Sequence, residues 1–282
     1  MELFVFVAVL AAAACHAGWN ALLKLDLEPV IATTLVAVAS SLVVAPFVFL
    51  TGLPDFAAWP YVVASVVIHI GYYLTLAEAY RQGDLGHVYP IARGTAPLMT
   101  GLVATLVLGE TLRLAAWAGI VVLAAGILLL AVRGGRRATR FDGRSVGFAL
   151  LTSLPITAYT LADGIGARAA GSAVAYAAWL FLLSGAAMSV YGLQTIGPQR
   201  LASEFKAHWA IALGGATLST AAYGIAIWAM TVAPIALVAA LRETSVLYAT
   251  LISTLLLREP WLAARVAAAL MVLAGALLLR VG

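Results

Sequence analysis

The sequence predicts an all-α integral membrane protein whose ten transmembrane helices form two inverted five-helix repeats. The chain is 64% hydrophobic and only 10% charged, whereas soluble domains are about 45–50% apolar and about 25% charged. Ten apolar segments have about the 20 residues that a helix needs to cross a ~30 Å hydrocarbon core. Polar residues of the second half also repeat those of the first half. Together these observations exclude a soluble domain.

The ten predicted spans follow one another with short connections. They cover residues 2–24, 30–52, 57–80, 86–108, 113–132, 144–164, 170–192, 207–231, 235–257 and 260–280. The most polar stretch, 133–144, joins the halves, which gives a first repeat over 1–137 and a second over 138–282. Because five spans is an odd number, the second repeat enters the membrane from the opposite side, a common plan of secondary transporters.

An internal duplication supports this division. Five pairs of identical residues lie at a constant offset of 149 positions. They are Arg93 and Arg242, Thr95 and Thr244, Thr105 and Thr254, Glu110 and Glu259, and Gly126 and Gly275. An arginine near the bilayer centre costs about 2.5–3.5 kcal/mol even on the most lenient scale. Each arginine lies seven residues inside its span, about 11 Å at 1.5 Å per residue. Inversion therefore places one on each side of the midplane, and the pair predicts a binding site for negative charge.

The distribution of Lys and Arg sets the expected orientation. Eleven of the 16 Lys and Arg residues lie on one side of the membrane and three on the other. The remaining two, Arg93 and Arg242, lie within the spans. Cytoplasmic loops carry the excess of positive charge, so both termini are expected outside a bacterial inner membrane. The net charge of +4 belongs to these loops and does not indicate nucleic-acid binding. The single cysteine, Cys15, excludes a disulfide framework, and the basic region of a secretory signal is missing.

Further polar and aromatic residues are expected around the arginines. In span 1, His16 and Asn20 share a face because they are four residues apart, and Trp19 lies beside them. Span 4 is expected to be bent and to line a cavity, because two prolines remove backbone hydrogen bonds. The predicted substrate-binding residues are Arg93, His16, Asn20, Trp19, Tyr73, Tyr89, Arg242 and Trp228. Glu78 and Glu243 are candidates for proton coupling or counter-charge, and spans 6 and 8 add Tyr159, Asp163 and Tyr223.

Other features of the sequence indicate structural roles. Glu110 and Glu259 end their spans beside short turns. Gly119 and Gly126, with Ala268 and Gly275, form small-residue faces on spans 5 and 10; such faces pack helix against helix or form a homodimer. Metal-ligand spacing, phosphate loops and nucleophile motifs are not found, so we predict neither an enzyme nor a metal or other cofactor.

The sequence resembles the drug/metabolite transporter superfamily, in its EamA-like branch. The resemblance covers the whole chain, and its most specific elements are the ends of spans 4 and 9, LVLGETL and LLLREPW. The runs HAGWNALLK and YPIARG resemble a subgroup associated with phosphonate utilisation. The resemblance implies alternating-access transport of small metabolites, without ATP, through a central cavity. The paired arginines depart from members that handle apolar amino acids.

The sequence thus predicts a secondary transporter for a small anionic or zwitterionic metabolite, such as an amino acid, organic acid or phosphonate. One alternative is a transporter of organic cations, which aromatic side chains would hold by cation–π attraction. Another is a membrane scaffold whose polar residues only specify helix packing. The expected partners are the small-molecule substrate and the lipid bilayer.

Overall fold

The computed structural model describes residues 1–22, 28–82, 85–133, 143–256 and 263–282. In these residues the structure contains eleven α-helices, a single 3₁₀ turn at Phe56–Ala58 and no strand. The all-α class is therefore confirmed. The predicted boundary between the repeats, at residues 137 and 138, lies outside the described residues and stays a prediction.

The helices follow the predicted spans closely. They are α1 (Leu3–Leu22), α2 (Pro29–Thr51), α3 (Trp59–Gln82), α4 (Leu85–Leu106), α5 (Leu114–Arg133), α6 (Gly143–Ala169), α7 (Ala173–Thr195), α8 (Pro198–Val232), α9 (Ile235–Arg242), α10 (Ser245–Leu256) and α11 (Ala263–Val281). Within the described residues, six of these segments are long and apolar enough to cross a membrane. The protein is a multi-pass membrane protein.

Local sequence explains several of the helix boundaries. α2 starts with Pro29 and stops at Gly52, whose φ of 72° is a conformation that glycine adopts without a steric penalty. At the start of α7 the Ser172 hydroxyl accepts a hydrogen bond from the Ala175 amide, 3.2 Å away, which satisfies a donor that the helix leaves open. α8 bends at His208 (φ −120°, ψ 22°), close to residue 207, where the membrane span was predicted to start.

The predicted ninth span is two helices rather than one. α9 ends at Arg242 and α10 begins at Ser245. Between them the amides of Glu243 and Thr244 bond three residues back, to Ala240 and Leu241, at 3.1 Å each. The Thr244 hydroxyl also donates to the Leu241 carbonyl at 2.7 Å, so it competes with the regular helical bond. The stretch Ile235–Ile252 is still long and apolar enough to cross a membrane, as predicted, but a 3₁₀-like turn at Glu243 and Thr244 divides its helix in two.

In contrast, α4 runs without a break from Leu85 to Leu106, although Pro90 and Pro97 lie within it. A bend in span 4 stays a prediction. Of the two arginine-bearing segments, the discontinuous one is in the second half.

Several contacts between helices recur when each helix is replaced by its counterpart in the other half. α1 packs against α8, and its counterpart α6 packs against α3. α4 packs against α6, while α9 and α10 pack against α1. The helices that pair with their own counterparts are α2 with α7 and α5 with α11. Exchanging the halves leaves these pairs of neighbours unchanged. In each pair, a helix of the first half packs against a helix of the second half.

The small-residue faces meet inside the chain. A Cβ added to Gly119 would lie 2.9 Å from the Gly275 carbonyl oxygen, and a Cβ added to Gly275 would lie 2.7 Å from the Leu123 amide nitrogen. Only glycine permits backbones to approach this closely. Of the two predicted uses of these faces, packing between helices is the one found in the structure, where α5 packs against α11. A homodimer stays an untested prediction and would need another surface.

Both termini lie at the same end of the bundle. The Met1 ammonium donates to the Arg280 carbonyl at 3.1 Å. Ten spans require this arrangement because an even number of crossings returns the chain to the side where it began.

Candidate functional site between the two halves

Arg93 of α4 makes an ion pair with the second half of the chain. Its Nε lies 2.9 Å from Oε2 of Glu243, and both side chains are only 6% exposed. Glu243 occupies the turn between α9 and α10. The sequence places Glu243 next to Arg242, but the fold pairs it with the arginine of the other half. A buried ion pair of this kind is costly to break from one side, about 3–5 kcal/mol.

Arg242 has a different environment. Its guanidinium carbon lies 4.7 Å from the centre of the Tyr223 ring, a cation–π contact. In the part of the chain that the structure describes, Arg242 forms no ion pair with a carboxylate. It is therefore a partly buried cation that packs on an aromatic ring.

A buried acid holds the aromatic ring in place. The Tyr223 hydroxyl donates to one carboxylate oxygen of Asp163, and the Tyr176 hydroxyl donates to the other at 2.9 Å. The Asp163 side chain is fully buried, with 0% exposure. Asp163 and Tyr176 thus support Arg242 through Tyr223. Asp163 could be identified from the sequence because it is a lone acid within an apolar span. Tyr176 could not be identified in this way because tyrosines are common at membrane interfaces.

The two arginines line one cavity. Its polar lining residues are Arg93, Thr100, Tyr159, Thr160, Arg242 and Glu243. The cavity volume is about 10 Å³, room for about one water molecule. Although inversion was expected to direct the arginines towards opposite openings, both contribute to this single site, and α4 lines it as predicted.

The α1 residues extend the site beyond Arg93. Nη2 of Arg93 lies 3.3 Å from Nε2 of His16. The indole N–H of Trp19 donates to Nδ1 of the same ring at 3.2 Å. The side-chain amide of Asn20 donates to the His16 carbonyl at 2.8 Å. The fold thus brings His16 to Arg93, while Asn20 bonds to its own helix.

Trp228, another predicted site residue, is not in this cluster. Trp228 packs edge to face on Phe4, with ring centres 5.8 Å apart, and is not among the residues that line the cavity. The side chains of Tyr73, Glu78 and Tyr89 lie outside the described residues, so their predicted roles stay predictions.

Glu110, the polar residue at the end of span 4, has a structural role. One of its oxygens lies 2.9 Å from Nη2 of Arg168 and accepts the Ile235 amide at 2.8 Å, and the other accepts the Ala236 amide at 3.3 Å. Glu110 of the first half therefore caps the start of α9 in the second half, where a negative charge is favourable. Glu259, its counterpart, lies outside the described residues.

We expect Glu110→Gln to lower the melting temperature of the purified protein by several degrees. The amide group would turn a donor towards Arg168, and the loss of a charge-assisted hydrogen bond costs about 1.5–3 kcal/mol. Glu28→Gln is the matched control, since Glu28 meets Arg200 at 3.4 Å in an exposed pair, and exposed pairs contribute about 0–1 kcal/mol. Equal melting temperatures for the two variants would contradict the capping role.

Comparisons with known proteins agree with this architecture. Residues 2–132 match the EamA-like transporter family. A solved structure, described only as a crystal structure of a protein, superposes with a TM-score of 0.76 over 99% of this chain and 97% of its own. At 20% identity this likeness shows a shared fold alone. No curated protein matches the chain.

The family match covers the half that carries His16, Trp19 and Arg93, and the shared fold extends over nearly the whole chain. Over residues 2–132 the chain is therefore similar to the EamA-like transporter family.

Proposed function

We propose that the protein is a secondary transporter that moves a small anionic or zwitterionic metabolite, such as an amino acid, organic acid or phosphonate, without ATP. The observation that carries the proposal is a single cavity between the halves, lined by Arg93 and Arg242. Guanidinium groups bind carboxylates and phosphonates through charge-assisted hydrogen bonds. We place the protein in the bacterial inner membrane, with both termini outside.

The charges around the cavity fit a ligand of one negative charge. Arg93 and Arg242 supply two positive charges, and the Glu243 carboxylate compensates one of them through its ion pair with Arg93. A monoanion that reaches Arg242 would compensate the second. Glu243 would also compete with the ligand for Arg93. Of the two carboxylates predicted for proton coupling or counter-charge, Glu243 is the one whose side chain the structure describes.

The turn between α9 and α10 supports a transport cycle. It breaks the helix beside the cavity, at Glu243 and Thr244, and discontinuous helices at the junction of two repeats form substrate sites in secondary transporters. Because the cavity holds about one water molecule, the halves must separate for a metabolite to enter. Rocking of one half against the other would break and re-form the ion pair between Arg93 and Glu243.

Transport of organic cations is the second candidate. In that case the arginines would only be paired with carboxylates of the protein, and the ion pair between Arg93 and Glu243 agrees with this in part. This candidate also needs an open aromatic face for the cation. The face of Tyr223 is occupied by Arg242, a cation belonging to the protein itself. This contact favours the anion.

A ligand screen on the purified protein tests the proposal. Thermal stability is measured with acetate, glycine, methylphosphonate and choline, followed by uptake of the stabilising compounds into proteoliposomes. Stabilisation and uptake of acetate, glycine or methylphosphonate support the anion site. Stabilisation by choline alone would establish the cation alternative. If none of the four compounds stabilises the protein or is taken up, the result would contradict both transport proposals and support the alternative of a membrane scaffold.

A further inference from the structure

We propose that the transported anion is bound together with one proton, and that Nε2 of His69 holds this proton. The inference rests on the proposed function and deepens it, because it specifies the ionic state in which the site is filled. Proton coupling is thereby assigned to a residue other than Glu78 and Glu243, the two carboxylates predicted for it.

The first observation is a buried negative charge behind the cavity. The side chain of Asp163 is fully buried. Its carboxylate accepts hydrogen bonds from the hydroxyls of Tyr176, Tyr223 and Ser65. An ionised carboxylate can only accept, and hydrogen bonds to the charged form favour that form. Asp163 is therefore a carboxylate held by neutral donors.

The hydrogen bonds of His69 determine which of its ring nitrogens is open. Nδ1 lies 2.9 Å from the carbonyl oxygen of Ser65, four residues earlier in α3. A carbonyl can only accept, so Nδ1 carries the hydrogen and donates it. The Ser65 hydroxyl is 3.2 Å from the same nitrogen and donates to Asp163. Because a neutral imidazole has one N–H, Nε2 keeps a lone pair, which has no hydrogen-bond partner among the described residues.

Two opposite charges act on the imidazole. The titratable and charged groups that face it from other helices are Tyr159 and Asp163 of α6, Tyr223 of α8 and Arg242 of α9. From α7, Tyr176 faces Asp163, and in the described part of α4 no charge acts on His69. Tyr159 stacks on the imidazole with ring centres 4.2 Å apart and also lines the cavity. A proton on His69 is therefore attracted by Asp163 and repelled by Arg242.

The described charges of the cavity and of this network sum to zero while the site is empty and His69 is neutral. Arg93 pairs with Glu243 at 2.9 Å. Arg242 lies 4.7 Å from the centre of the Tyr223 ring, and the hydroxyl of that ring donates to Asp163. Arg242 and Asp163 thus offset each other across one aromatic ring. A monoanion on Arg242 would leave Asp163 without an offsetting cation, and an unbalanced charge inside the membrane is costly.

A proton from water would restore the balance. The bound anion cancels the repulsion between Arg242 and a proton on His69, while the attraction of Asp163 remains. With the proton on Nε2, the imidazolium offsets Asp163 and the anion offsets Arg242. The site therefore accepts an anion with a proton, or a zwitterion that brings its own positive charge.

Isothermal titration calorimetry of the purified protein tests the inference. Acetate and glycine are titrated at about pH 7.5, where acetate is ionised, in phosphate and in Tris. These buffers differ in ionisation enthalpy, so the difference in heat gives the number of protons taken up per ligand. His69→Gln removes the basic nitrogen. His208→Gln is the matched control, since His208 lies 3.3 Å from Glu204 and does not line the cavity.

We expect the wild type and His208→Gln to take up about one proton per acetate and to lose about tenfold in affinity for each pH unit above neutrality, as one linked proton requires. His69→Gln should bind acetate more weakly, without proton uptake and without this pH dependence. His69→Gln/Asp163→Asn also removes the charge that the proton offsets, so it should regain affinity for acetate without proton uptake. Glycine should bind the wild type without proton uptake. Melting temperatures without ligand check the folding of each variant.

Proton uptake by His69→Gln equal to that of the wild type would overturn the assignment to His69. Wild-type binding of acetate without proton uptake, or binding of glycine alone, would overturn the inference and leave the proposed function intact. Equal proton uptake with glycine and acetate would contradict the charge balance. If neither compound binds the wild type, the proposed function itself fails.

Discussion

The double substitution Arg93→Ala/Glu243→Ala is expected to reduce anion uptake to the level of protein-free liposomes and to abolish stabilisation by acetate and methylphosphonate. Arg93 lines the cavity and provides a positive charge and N–H donors there. Removing both partners also avoids the buried unpaired carboxylate that Arg93→Ala alone would leave, which costs about 3–5 kcal/mol. Uptake and melting temperature are measured on the same preparation.

Two controls make this result specific. Glu28→Ala/Arg200→Ala deletes an exposed ion pair and should transport as the wild type does. Glu243→Gln removes the competitor for Arg93 while retaining its shape, so binding of the anion should be retained or become tighter. Wild-type uptake by the Arg93→Ala/Glu243→Ala protein would refute the anion site.

Arg242→Gln is expected to weaken binding of acetate and methylphosphonate by about 10- to 100-fold, the equivalent of about 1.5–3 kcal/mol for a charged hydrogen bond. Unlike Arg93, Arg242 forms no ion pair within the described part of the chain. Its replacement therefore breaks no described ion pair, and the protein should fold normally. Thermal shift and uptake measure the two effects separately.

Arg242→Lys distinguishes charge from geometry. Lysine keeps the positive charge but lacks the planar fork that binds two oxygens together, so we expect an intermediate affinity. If Arg242→Gln binds both anions as tightly as the wild type, Arg242 is a structural cation held by Tyr223, and the anion site depends on Arg93.

Much of the fold could be predicted because its physical cause is local. Apolar length indicates a membrane helix, and each of the five spans predicted in the second half is helical, with the ninth divided into two helices. The identity of Glu110 and its position beside a short turn indicated a structural residue, and the capping of α9 agrees. The interruption of span 9 was not predicted, since neither Gly nor Pro marks residues 243 and 244. A threonine side chain that bonds back to a carbonyl leaves little trace in a sequence.

The partners within the site could not be predicted in the same way. In the sequence Glu243 is next to Arg242, whereas the fold places it 2.9 Å from Arg93, 150 residues away in the chain (243 − 93). The prediction for Trp228 rested on residue type alone. In the structure this tryptophan packs on Phe4, because the direction of a side chain depends on how its helix is rotated in the bundle.

The sequence alone determined that this is a membrane protein of two related halves, with an arginine at the matching position of each, because composition, periodicity and duplication are written along the chain. The tertiary structure decided which arginine is neutralised, that both face one cavity, and that His16 presents its Nε2 beside Arg93. These properties depend on distances of a few ångströms between residues far apart in the chain, and those distances exist only once the helices have packed.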